Sequence, residues 1–106
     1  MPDTDTTVAV GSLQDVLAPL SDPVRLEMVR RMHAAGRPTP CAQLYDSVGK
    51  STASHHFKIL REAGVIDRSV VAGQTHQELR LDDVEAAYPG VLSSILGSIL
   101  AAPAAR

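Results

Sequence analysis

Two histidines stand side by side in "STASHHFKILREAG" (51–64), and the chain's one cysteine, Cys41, lies just upstream. These residue types are the usual metal ligands and nucleophiles. Two histidines on one helix share an ion when they stand at i, i+4. His55 and His56 are adjacent, so on a helix they point about 100° apart. Neither His33 nor His76 has a histidine at the productive spacing. A lone cysteine makes no internal disulfide and no multi-cysteine zinc site within one chain. "GKST" (49–52) ends like a phosphate-binding loop, but G-x-x-x-x-G-K-[ST] needs a glycine at 44, where Leu44 stands. No Ser–His–Asp set and no carboxylate pair is evident. The expectation is a chain that is not an enzyme and carries no cofactor and no intrachain metal site.

The remaining role for the histidines is contact. At about 100° per residue, Ala53, Phe57 and Leu60 form one apolar stripe on the helix. Ser51, Ser54, His55, Lys58, Arg61 and Glu62 fall on the opposite face, and His56 sits at the stripe's edge. The outward face is small and polar first, then basic. A helix entering the major groove needs that order: short groups that hydrogen-bond base edges, then cations for phosphates. Ser51, Thr52, Ser54 and His55 fit base reading, and Lys50, Lys58 and Arg61 fit phosphate contact. His56 is expected to face the protein.

Charge supports this reading. The net charge is −2, but residues 1–22 hold four acids and no base. Residues 23–80 hold nine Lys/Arg against five Asp/Glu, and residues 81–106 hold three acids and one base. Partners respond to the basic middle more than to the total.

The elements around this helix follow from their punctuation. The 106 residues suit one domain. Residues 1–10 read as a tail. "SLQDVLAPL" (12–20) is a short amphipathic helix ending near Pro19. Ser21 or Asp22 caps a second helix, with Pro23 in its first turn and Gly36 as its stop. Thr39 caps a short third helix, where Cys41, Leu44, Tyr45 and Val48 keep helical spacing. "VIDRSVV" and "HQELRL" flank "AGQT" as a β-hairpin. Asp82 or Asp83 caps a last helical region, which Pro89-Gly90 interrupts and Pro89 restarts. Residues 102–106 are a second tail, so the domain is 11–101. Short helices followed by a hairpin describe a winged helix-turn-helix, mainly α with a small β-hairpin. No apolar run approaches a membrane span, and the acidic N-terminus is no secretory signal. A cytoplasmic protein is expected.

"LSDPVRLEMVRRM" (20–32), "KSTASHHFKILREAGVI" (50–66) and "LRLDDVEAAYPGVL" (79–92) resemble the ArsR/SmtB-type winged-helix transcriptional repressors. The resemblance covers most of the chain and implies a homodimer on double-stranded DNA, reading an inverted-repeat operator until a signal releases it. It places the interface on the first and last helices. The apolar residues there are Leu13, Val16, Leu17, Val91, Leu92, Ile95, Leu96 and Ile99, although the last stripe also suits the monomer's own core. Metal-sensing members carry a Cys-x-Cys motif near the third helix, or Asp/His and His/Glu ligands on the last. Here Cys41 is flanked by Pro40 and Ala42, and residues 82–101 offer Asp82, Asp83 and Glu85 without histidine or cysteine. Neither metal site carries over, and no inducer is indicated.

Two further departures bear on mechanism. The wing tip is Gly73, Gln74, Thr75 and His76, where relatives often have a cation. Gln74, Thr75 and His76 are the candidate wing contacts, and Arg68 and Arg80 are expected near the base of the hairpin, to orient it or to contact phosphate. Cys41 has two readings, a buried inert thiol or a redox or electrophile sensor beside the reading helix. A protein-interaction module that has lost DNA binding is the remaining alternative.

Overall fold

The computed structural model describes residues 8–101. The expected tails fall outside the described residues at 1–7 and 102–106. Residues 8–11 of the chain start are held. The Gly11 N–H donates to the Ala63 carbonyl at 3.0 Å, the Tyr88 hydroxyl donates to the Gly11 carbonyl at 2.7 Å, and Arg80 donates to the Val8 carbonyl.

Helix α1 (Leu13–Leu17) is short because its own sequence caps and then interrupts it. Ser12 Oγ accepts from the Asp15 N–H and Asp15 Oδ2 accepts from the Ser12 N–H, both at 3.1 Å, a reciprocal capping box. With Pro19 the chain tightens into a 3₁₀ turn over Ala18–Ser21. Asp22 then caps α2 (Pro23–Ala35) by accepting from the Arg25 N–H at 3.0 Å. Gly36, at φ +65°, ends it as its sequence position suggests.

The third helix is not α-helical. Thr39–Pro40 forms a short strand, β1, and Cys41–Gln43 a single 3₁₀ turn. Pro38 and Pro40 keep the entry extended, and Asp46, Ser47 and Gly49 leave too few good formers for a nucleus. The apolar spacing still serves packing. Leu44 is buried, and the Tyr45 ring meets Phe57 edge-on at 6.1 Å.

Helix α3 (Lys50–Glu62) buries Ala53, Phe57 and Leu60, the predicted stripe. Strands β2 (Ile66–Val71) and β3 (Gln74–Leu79) follow. Ala72 at φ +52° and Gly73 at φ +79° make a two-residue turn, shorter than the four residues expected. Gln74 and Thr75 therefore join the ladder, opposite Val71 and Val70. β1 pairs antiparallel on the other side of β3, with Thr39 opposite Gln77, so the hairpin is part of a three-stranded sheet ordered β1-β3-β2.

Helix α4 (Leu81–Ala87) starts one residue before the expected caps, leaving Asp82 and Asp83 in its first turn, where they suit the helix dipole. Helix α5 (Val91–Ala101) begins after Gly90, not at Pro89. Glu85 stands in for its cap: the carboxylate accepts from the Gly90 N–H at 2.9 Å and the Ser93 N–H at 3.0 Å. Those N–H donors hold the Glu85 carboxyl below its ordinary range.

One core joins these elements, with Val16, Met28, Val29, Leu60, Val84, Leu92 and Leu96 at its centre. Three residues assigned to a dimer interface are thereby corrected. Val16 and Leu92 are 0% exposed and Leu96 is 2% exposed within a single chain. They are the inward row of their helices and complete the monomer. The helical chain with its small antiparallel sheet is a winged helix-turn-helix.

Candidate nucleic-acid interface

Helix α3 is held by its apolar stripe, which leaves Lys50, Ser51, Thr52, Ser54, His55 and Lys58 exposed along one side. The wing faces this side. In an antiparallel pair, opposed residues share a face, so Arg68 with Gln77 and Val70 with Thr75 form one surface of the hairpin. Between α3 and the wing lies a groove of about 550 Å³. Lys50, Ser54 and Arg61 line it from the helix, and Arg68, Gln74 and Thr75 line it from the wing.

The predicted residues thus divide. Lys50, Ser54, Arg61, Gln74 and Thr75 come together in the groove, while Ser51, Thr52, His55 and Lys58 stand on the exposed rim of α3. His76 does not join them. It lies on the far face of the wing, half-buried, with Nδ1 2.9 Å from the Gln74 carbonyl oxygen. Arg68 is a groove residue that the sequence reading left at the base of the hairpin. Its alternation with Val70 along the strand is the signal that places it on the inner face.

Charge pairing sharpens the picture. Arg30 and Arg31 share Glu27, Arg31 also takes Asp46 at 2.9 Å, and Arg80 takes Asp83 at 3.1 Å. Lys58 stands 3.9 Å from Glu62. Among the described residues, Lys50, Arg61 and Arg68 form no ion pair, and all three line one groove. Such unpaired cations on facing walls create a positive potential suited to a phosphate backbone.

The two histidines part as their spacing requires. Their ring centroids are 6.3 Å apart and the rings tilt by 47°. His55 is exposed on the rim. His56 turns inward, with Nδ1 2.9 Å from Arg25 Nη1. Among the described residues, no group of three His, Cys, Asp or Glu side chains comes together as a metal site requires. Cys41 lies half-buried in the groove wall and not within the core. Its Sγ is 3.6 Å from Gln77 Nε2, and the enclosed Gln77 Oε1 has no partner among the described residues.

Residues 20–69 match the model of a helix-turn-helix domain family. Over 78 residues the chain is 33% identical to an HTH-type transcriptional regulator, YceK, of Bacillus subtilis (strain 168). That alignment covers 72% of this chain and 78% of the relative. The crystal structure of the transcriptional repressor BigR from Xylella fastidiosa superposes with a TM-score of 0.63 at 23% identity, over 86% of this chain and 88% of that one. No helix among the described residues is long and apolar enough to cross a membrane.

Proposed function

We propose that this chain, which belongs to the helix-turn-helix transcriptional regulators, is a repressor of the ArsR/SmtB type that binds an inverted-repeat operator as a homodimer. The observation that carries the DNA reading is the gathering of Lys50, Arg61 and Arg68 in one groove, while Arg30 and Arg31 of α2 and Arg80 before α4 are paired with carboxylates. Arg61 and Arg68 hold the phosphate backbone from both walls, with Lys50 at the helix start. Ser51, Thr52, Ser54 and His55 then approach base edges. Gln74 and Thr75 extend the contact from the wing.

The dimer uses the apolar surface that the core leaves over. Leu13 and Leu17 remain 38% and 41% exposed, and Val91, Ile95 and Ile99 are half-buried. Leu100, 66% exposed, continues that surface. A two-fold pair would present two copies of α3 to an operator of matching symmetry.

A second reading concerns control. Cys41 sits in the wall of the same groove, so a group added to its sulfur would intrude on the DNA path. A Cys41→Ser variant that keeps DNA binding but loses its response to oxidants or electrophiles would support that role.

Fluorescence anisotropy tests the main reading, using the DNA upstream of the protein's own gene and a scrambled duplex over a salt series. Selective binding with a steep salt slope is expected. Weak binding, equal for both duplexes, would overturn it in favour of a protein partner.

A further inference from the structure

The geometry points to Arg25 as a positioning residue for DNA reading, a clamp that fixes α3 against the exit of α1. This rests on the DNA-binding function proposed above. The other arginines of α2 take carboxylates, but Arg25 does not. Its Nε donates to the Pro19 carbonyl at 2.8 Å and its Nη1 lies 2.9 Å from His56 Nδ1. A guanidinium carries donors only. His56 Nδ1 is therefore the acceptor, and the ring's proton sits on Nε2.

The two ends of the clamp belong to different machinery. Pro19 is buried in the 3₁₀ turn that follows α1, the helix whose Leu13 and Leu17 remain exposed. His56 follows His55 on the reading helix. One half-buried side chain thus spans from the turn after α1 to α3. Asp22 holds the clamp's own base, since its carboxylate accepts from the Arg25 N–H at 3.0 Å. That bond, with the nearby Arg25 charge, keeps the Asp22 carboxyl below its ordinary range. A planar fork with two separated donors bridges such partners, whereas a lysine ammonium offers one point.

The consequence concerns selectivity more than affinity. Phosphate contacts tolerate a small rotation of α3, but base-edge hydrogen bonds do not. Loosening the clamp should therefore erode discrimination before it erodes general binding. A displacement of α1 would also reach α3 through the same side chain.

The test uses the full chain, four single variants (Arg25→Met, Arg25→Lys, His56→Leu and His56→Asn) and the double variant that joins Arg25→Met with His56→Leu. Arg25→Met and His56→Leu are each expected to narrow the ratio of operator to scrambled affinity about tenfold. Combining them should add little. Arg25→Lys, which keeps the charge and much of the stem, should lose most of the same ratio. His56→Asn, whose Oδ1 stands near the position of Nδ1, should restore it. Amide hydrogen exchange of the free protein reads the clamp without DNA. Exchange over 50–57 should quicken in Arg25→Met and His56→Leu and stay slow in His56→Asn.

Folded Arg25→Lys and His56→Leu variants with wild-type selectivity and wild-type exchange would overturn the proposal. So would a His56→Asn variant as impaired as His56→Leu, which would mean that ring packing matters and the acceptor does not. If the wild-type chain binds no duplex selectively, the DNA reading falls, and this role for Arg25 falls with it. The exchange pattern would then still say whether the clamp holds α3.

Discussion

Gly64 and Val10 touch backbone to backbone. A β-carbon on Gly64 would lie 2.6 Å from the Val10 α-carbon and 2.6 Å from the Ala9 carbonyl oxygen. Gly64 also sits at φ +82°, where a side chain is strained. The contact lets residues 8–11 cross over the end of α3 and reach the Ala63 carbonyl and the Tyr88 hydroxyl. Gly64→Ala should lose that crossing and cost about 2–3 kcal/mol. Gly36 is the control, at φ +65° with nothing within 4 Å of its added carbon. Gly36→Ala should cost only about 1 kcal/mol. Urea denaturation of both variants checks the difference, and equal losses would mean that strain alone sets the cost.

A second prediction concerns acid stability. Glu27 accepts from Arg30 at 2.7 and 2.8 Å and from Arg31 at 2.8 Å. Arg30 first, then Arg31, hold its carboxyl down to about 2 from an ordinary 4.5. The folded state therefore favours the ionised form. Its contribution is fully present above pH 4.5 and is lost as pH falls through about 2. Glu27 is 40% exposed, so solvent screens the pair and its worth is below about 1 kcal/mol. Denaturant midpoints of wild type and Glu27→Gln should differ by a constant amount near neutrality. The gap should close between pH 4.5 and about 2. A gap that persists at the acid end would assign the loss to packing.

The salt dependence of DNA binding distinguishes groove from rim. Arg68→Ala should weaken binding to every duplex and lower the salt slope by about 1, as for a lost phosphate contact. Lys58→Ala should do the same by a smaller amount, because Lys58 already has Glu62 3.9 Å away. His55→Ala should leave the slope nearly unchanged and narrow the operator-to-scrambled ratio. An unchanged ratio would remove His55 from the reading face.

How much of this was legible follows the physics of each signal. The stripe of α3 was readable because Ala53, Phe57 and Leu60 obey one period over a long, well-formed helix. The Asp22–Pro23 start and Gly36 stop of α2 were readable from local cap chemistry. The segment around Cys41 was misread because its apolar spacing suits a helix while its prolines decide the backbone. Arg68 was underplaced because strand facing depends on register, and register turned on Ala72 accepting a positive φ. The Arg25–His56 contact joins residues far apart in sequence, and no local pattern encodes it.

The apolar residues of α1 and α5 carry the last prediction, because periodicity groups residues that the fold then separates. Leu96 is 2% exposed and Leu17 is 41% exposed, yet both belong to the same sequence-level interface. Leu96→Ala removes packed core and should cost about 2–4 kcal/mol. Leu17→Glu disturbs little of the monomer core and instead charges a surface proposed to be shared. Its monomer should keep the wild-type circular dichroism spectrum. Analytical ultracentrifugation should show its dimer weakened at least tenfold. A wild-type chain that sediments as a monomer, or a Leu17→Glu variant with unchanged association, would move the interface away from α1.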